Sequence, residues 1–332
     1  MALSTAPTAP FALIGPRTLV HRAFAANAPL ALAGMLMLLG LVASLIGVLV
    51  DPTVITGAPA WLKPAKFYIS LATYCFTLIW LLSFVTGRPR LVGLIAWITV
   101  VGFVIELAVI SLQVARGVGS HFNTATLFDA AIYSLMGATI TVVWMTSVLL
   151  AVLLLRQRMP DTTLAWGLRL GVLLAVVGIG IAFLMTSPRP EQLAAAQAGQ
   201  GMPLAGAHSV GLKDGAAGLP ILNWSTIGGD LRVPHFIGIH AMQVLPLVAF
   251  AVDRTRLRGG SRVSLVVIAG AAYGGLIALL TWQALRGQSI VRPDALTLGA
   301  AGALVGAAAL AVAAVLLLAR PVAQPDGGMV SK

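Results

Sequence analysis

The sequence predicts an all-α polytopic membrane protein of about eight transmembrane helices, arranged as two parallel four-helix repeats. Three observations predict it. First, 59% of the 332 residues are hydrophobic and only 9% are charged. A soluble domain carries about 25% charged residues, so this chain has too little polar surface to cover a core in water. Second, the apolar residues fall into runs near the roughly 20 residues that carry a helix across ~30 Å of hydrocarbon. These runs cover 28–50, 66–86, 91–114, 128–156, 166–187, 235–252, 262–284 and 297–319. Helix is required because backbone groups in lipid must bond within their own segment, and the alternating pattern of a membrane barrel is absent. Third, Gln-x-x-Arg-Gly closes the third run as Gln113, Arg116 and Gly117, and recurs 170 residues later as Gln283, Arg286 and Gly287.

Residues 1–27 read as a loose arm. Pro7, Pro10 and Pro16 interrupt it, no continuous apolar core makes it a signal peptide, and Phe11, Leu13 and Ile14 suit a membrane surface. The first repeat occupies 28–160. In its second span Lys66, Ser70, Thr73 and Thr77 follow helical spacing and form one polar stripe. In the third, Glu106 and Gln113 are seven apart and share a face. Glu106 is the only acid well inside a run, so it must be neutral, paired or hydrated, and Lys66 is its expected partner. The fourth span opens with Thr126 as N-cap and Asp129 in the first turn, where the helix dipole favours a carboxylate.

The second repeat occupies 161–320 and carries a long external loop, 188–234. The first half of that loop is rich in Ala and Gly and reads as mobile. The second half, with Gly228, Gly229, Asp230 and Arg232, reads as an ordered segment folded onto the protein. The sixth span places His240 and Gln243 on one face, with His235 about 140° away from His240. The eighth has no ionisable group, and Gly302 with Gly306 offers a small-residue face for another helix or a homodimer. Residues 321–332 are a tail.

The repeat rests on matches at the one offset. Pro64 meets Pro234, Ser70 meets His240, Thr73 meets Gln243, and Arg88 meets Arg258. Four spans per copy relate the copies by an axis along the membrane normal. Arg and Gly in the repeated motif suit a helix C-terminus, where a left-handed glycine ends the helix and a cation meets the dipole. That does not explain the Gln. Ionisable positions diverge at this offset: Glu106 meets Leu276 and Asp129 meets Gly299.

Net charge of +11 follows topology and is no nucleic-acid signal. Most Lys and Arg fall on the side holding both termini and the short loops near 88, 158 and 255, with Arg254, Arg256, Arg258 and Arg262 the densest group. Short-loop excess marks the cytoplasmic side, so the expectation is a plasma (inner) membrane protein with both termini cytoplasmic. The single cysteine, Cys75, excludes a disulfide framework.

Walker, G-x-G-x-x-G, H-E-x-x-H, G-x-S-x-G and C-x-x-C motifs are absent, and five histidines are too few for a His-box iron enzyme. The polar groups collect toward the outer side, which predicts an outward pocket that binds or transports a small solute, an ion or a lipid headgroup. Its expected substrate-binding residues are Lys66, Ser70, Glu106, Gln113, Arg116, Asp129, Gln243, Gln283 and Arg286, with the two Gln side chains lining one cavity across the pseudo-twofold. Two alternatives stand beside it. One is a membrane enzyme or redox protein holding haem or a divalent metal through His121, Asp230, His235 and His240. The other is a structural accessory subunit of a membrane complex.

Overall fold

The computed structural model describes residues 15–319. The surface-seeking Phe11, Leu13 and Ile14 and the tail 321–332 lie outside the described residues. Helix α1, Pro16–Val50, is kinked at Asn27, whose backbone leaves helical geometry (φ −159°, ψ 93°). The Asn27 side-chain oxygen accepts from the Leu30 amide at 3.2 Å, so Asn27 caps the apolar run Ala28–Val50. Residues 16–26 form a helical lead-in where a loose arm was expected.

A two-residue-turn hairpin, β1 (Val54–Ile55) and β2 (Ala58–Pro59), leads into α2, Leu62–Leu82. Its turn residues Thr56 and Gly57 both have positive φ, as a tight hairpin of this hand requires. Helix α3, Pro89–Ala115, and α4, Leu127–Arg156, complete the first half. The second half begins with α5, Thr162–Gly180, extended by short α6, Ala182–Thr186, and α7, Pro190–Gln197. Strand β3, Ser209–Val210, pairs antiparallel with β4, Gly229–Asp230. Helices α8, Arg232–Ile239, and α9, Ala241–Asp253, are followed by α10, Gly259–Leu285, and α11, Ala295–Leu318. Among the described residues seven helices are long and apolar enough to cross a membrane; α8 and α9, bent by 44° at His240, make an eighth when counted as one span.

The helices pack in the same order in both halves. Helix α1 lies on α2 and α3, α2 on α3, and α3 on α4; α5 lies on α8–α9 and α10, α9 on α10, and α10 on α11. Helix α4 joins the halves through α5. The main core gathers Leu30, Leu78, Leu81, Ile95, Leu154 and Leu168. A smaller cluster of Phe122, Ile181, Met185, Leu231 and Ile277 sits beneath the long loop. Helix α11 buries only Thr297, so its apolar sides are left for lipid.

Close approach of α5 to α8–α9 depends on glycine, as in membrane helix pairs where small residues let backbones touch. A Cβ on Gly178 would stand 2.4 Å from the Gly238 carbonyl carbon, and one on Gly171 would stand 2.9 Å from the Ala241 carbonyl oxygen. These are backbone neighbours that cannot rotate away. Gly178→Ala is therefore expected to cost about 2–3 kcal/mol by overpacking, lowering the thermal midpoint of the detergent-purified protein by roughly 5 °C or more. Gly299→Ala, with nothing within 4 Å, serves as the control that leaves the midpoint in place.

Candidate functional site

The repeated Gln-x-x-Arg-Gly motif builds helix ends. Gly117 (φ 72°) and Gly287 (φ 71°) are both left-handed. The Gly117 and Val118 amides donate to the Val114 and Gln113 carbonyls; the Gly287 and Gln288 amides donate to Ala284 and Gln283. This is the same Schellman closure twice. Arg116 then reaches Asp129 at 2.5 Å in the first turn of α4, and Arg286 reaches Asp294, the N-cap of α11, at 2.6 Å. Each arginine thus staples the end of one span to the start of the next.

The partners are exchanged between the two ends. Thr126 caps α4 and Asp129 follows three residues on, whereas Asp294 caps α11 and Thr297 follows three residues on. Counted from the caps, Asp129 stands where Thr297 stands, so the 170-residue offset that pairs Asp129 with Gly299 does not carry across the connecting loop. The Arg286 hydrogen bond, followed by the Thr297 amide and hydroxyl, holds the Asp294 carboxyl well below the usual carboxylate range.

The two glutamines close these junctions separately. Buried Gln113 donates to Asp129 at 2.9 Å and accepts from Arg116. Buried Gln283 donates to the Ser289 carbonyl at 2.9 Å, and the Ser289 hydroxyl donates to the Ser225 carbonyl at 2.9 Å. They do not line one shared cavity, and Gln113, Arg116, Asp129, Gln283 and Arg286 all lie outside the lining of the large cavity that the structure contains.

That cavity, about 930 Å³, lies at the end of the bundle where α2 begins and α3 ends. The β1–β2 hairpin, the α3–α4 loop, the start of α8 and the segment 189–223 enclose it. The wall is mainly apolar, with Phe67, Val114, Leu212 and Phe236 among its residues. Lys63, Lys66, Arg189, Lys213 and Arg232 face Glu191 and Asp214, so cations predominate. Lys66 donates to the Leu222 carbonyl at 3.0 Å, and Arg232 is engaged by Asp230 at 2.6 Å. Among the described residues the Lys63 ammonium has no hydrogen bond or ion pair; Glu106 is the first of the charges acting on it.

His121 and His208 stand on the same wall, ring centres 6.5 Å apart. Asp214 accepts from His208 Nδ1 at 2.6 Å and from the His208 and Ser209 amides at 3.0 and 2.9 Å. Burial pushes the Asp214 carboxyl up, but the His208 ring and these amides outweigh it and hold the group well below its ordinary range. His121 Nδ1 lies 3.1 Å from Ser120 Oγ, and its Nε2 lies 3.5 Å from Glu106 Oε1. Burial, with Lys63, His208 and His235 adding to it, keeps His121 well below the ordinary histidine value, so its ring is neutral near pH 7.

Of the residues expected from sequence, Lys66 and His121 line the cavity, and Glu106 lies directly behind His121. Lys63, not Lys66, is the lysine acting on Glu106. Ser70 lies one turn beyond Lys66, outside the lining. The polar stripe of α2 disperses: Thr73 and Thr77 donate to carbonyls four residues back, and Gln243 donates to Thr77 at 3.0 Å, tying α9 to α2. The four residues expected to hold a metal do not converge. Asp230 is taken by Arg232 and the Ser225 amide, His235 by the Gly178 carbonyl, and exposed His240 by Gln243. Among the described residues no group of three His, Cys, Asp or Glu side chains is placed to hold a metal ion.

Sequence reasoning missed Lys63, His208 and Asp214. The signal was the pair His208 and Asp214, six apart around a glycine in a stretch otherwise poor in ionisable groups. No protein-family model, no curated protein and no solved structure matches the chain.

Asp214→Ala is expected to free two backbone amides and the His208 ring at once. Stranding partly buried donors costs about 1–3 kcal/mol each at most, so the roof should open locally. Hydrogen exchange at His208 and Ser209 should accelerate at least tenfold (about 1.4 kcal/mol of opening). Because the carboxyl is depressed in the fold, its contribution is present above about pH 4 and fades as pH falls through the folded value. Wild-type exchange at these amides should therefore approach the variant's only in acid.

Proposed function

We propose that this chain is an integral protein of the plasma membrane whose outward cavity binds a small amphiphilic anion, as a binding protein or carrier. The observation that carries this reading is the Lys63 ammonium, on an apolar cavity wall with no direct partner. Lys63 is half-buried, and an anionic headgroup would pair its charge while an apolar body occupied the rest of the wall. Ligand pockets are commonly of this kind: concave, mainly apolar, with a few placed polar groups.

Orientation follows from the opposite end of the bundle, where short loops carry Arg88, Arg90, Arg156, Arg158, Arg254, Arg256, Arg258 and Arg262. By the short-loop rule that end is cytoplasmic, together with both termini, and the cavity faces out. We further infer that the halves are two copies of one four-helix unit. In support, α3 and α10 are 27 residues each, with starts and ends 170 apart, and α2 and α8 also start 170 apart. The two Schellman ends and the matching order of helix contacts support the same inference.

A second reading, a membrane enzyme, is favoured by the His208–Asp214 pair. A carboxylate on Nδ1–H fixes the tautomer and leaves Nε2 as a base, here on a cavity wall.

The test uses eight-carbon probes on the full chain in a non-ionic detergent. Octanesulfonate should raise the thermal midpoint by several degrees at saturation, since a ligand at 100 times its Kd adds about 2.7 kcal/mol. Octylamine and octyl glucoside should not, and Lys63→Met should abolish the sulfonate effect. Equal stabilisation by all three probes would overturn the anion reading. Chemical conversion of an octanoate ester incubated with wild type but not with His208→Ala would favour the enzyme.

A further inference from the structure

We propose that Glu106, reached through His121, is a proton-binding site coupled to the cavity, so that one proton is taken up with each anion bound. This rests on the reading of the cavity as an anion site and adds a second ligand, the proton.

Glu106 is 3% exposed, and its Oε2 has no hydrogen-bond partner. Its Oε1 is 3.5 Å from His121 Nε2, a distance for charge interaction rather than a tight hydrogen bond. His121 itself lines the cavity, so the imidazole separates the carboxyl from the cavity's water. Among the described residues, the charged or titratable groups acting on this pair come from three elements: Lys63 on α2, His208 in the roof and His235 on α8. Lys63 in turn faces Arg232, Asp214 and Lys66. A buried carboxylate must be paired or neutralised, and among the described residues Lys63 is the cation whose charge bears on Glu106.

An anion seated at Lys63 removes that compensation. The coupling takes the empty site as Lys63 ammonium with Glu106 carboxylate. The loaded site holds Lys63 as ammonium, the anion, and Glu106 as a carboxylic acid. One proton comes from solvent through His121, one O–H bond forms on Glu106, and no other bond changes. The protonated carboxyl then has an O–H to donate to the facing imidazole, which is neutral and accepts at Nε2 when Nδ1 carries the hydrogen. The site's charge is the same empty and loaded, as suits a cavity walled by apolar side chains.

The experiment is calorimetric titration of the detergent-purified full chain with octanesulfonate, whose own charge does not change with pH. Runs in phosphate and in Tris at one pH give the number of protons exchanged from the difference in buffer ionisation heat. Wild type should take up close to one proton per anion, and its Kd should tighten by about tenfold per unit fall in pH over the coupled range. Glu106→Gln should bind the anion with no proton exchange and no pH slope. A carboxylic-acid band should also appear in the wild-type infrared difference spectrum on binding, which keeps the test independent of whether the variant folds. Anion binding with zero proton uptake in wild type, or unchanged uptake in folded Glu106→Gln, overturns the coupling and leaves the anion site standing. Absence of sulfonate binding at every pH overturns both.

Discussion

A backbone amide or carbonyl at membrane depth has no water to bond to, and the architecture at the cavity end follows from that constraint. A helix leaves four carbonyls open at its C-terminus. Helices α3 and α10 satisfy theirs by winding into a left-handed glycine and folding the next amides back. The arginine before each glycine then turns a helix end into a joint, since its guanidinium seats on the acid that opens the following span. With those joints fixed, α3 and α4 hold their short loop in one place, and Ser120, His121 and Phe122 on that loop are presented to the cavity.

The same requirement explains the roof. Segment 188–231 has little regular secondary structure to pair its backbone groups, so it must be held by specific polar bonds. Gln192 bonds both the amide and the carbonyl of Gly206. Asp214 takes the amides of His208 and Ser209, and Asp230 takes those of Ser225 and Arg232. Each is a side chain substituting for secondary structure. Composition reads the first half of this segment as mobile because Ala and Gly bury little area, and it does not register the side chains that tie it down, Arg189 on the Ala207 carbonyl and Thr124 on the Met202 carbonyl among them.

Much of the fold is legible in the sequence because hydropathy and helical length are the same physical quantity in a bilayer. The expected run 91–114 became Pro89–Ala115, and 128–156 became Leu127–Arg156. The run at 66–86 is displaced from Leu62–Leu82 for an informative reason: Lys63 and Lys66 depress hydropathy where the helix begins, and both are there because the cavity is there. Candidate-site residues were less legible. Spacing along one helix put Glu106 and Gln113 on one face, but it cannot show that Gln113 bonds Asp129 on the next helix, nor tell a group that binds from one that braces. Lys63 stands three residues before Lys66, and only the fold shows which lysine's charge bears on Glu106.

The two halves share the order of their helix contacts and differ at one corner, and that difference accounts for the cavity lying at the end of α3. At the end of α10 the strand Gly229–Asp230 is pressed into the corner. A Cβ on Gly229 would lie 1.9 Å from the Ala284 carbonyl oxygen, and Ser289 bridges Gln283 to Ser225 above it. The space left there is about 10 Å³. At the end of α3 the corresponding corner receives no such strand. Val114, Val118 and Gly119 instead face the 930 Å³ cavity, and the position matching Leu276 of α10 is Glu106. In the plugged corner the polar groups are taken up by one another, Gln283 by the Ser289 carbonyl and Asp230 by Arg232, and leucine stands where the open corner has an acid. An open corner, with lysine on one wall and histidine on the other, is where a buried acid can be kept charged or made neutral by what enters. The ionisable residues of the two halves therefore differ where one corner is open and the other is filled.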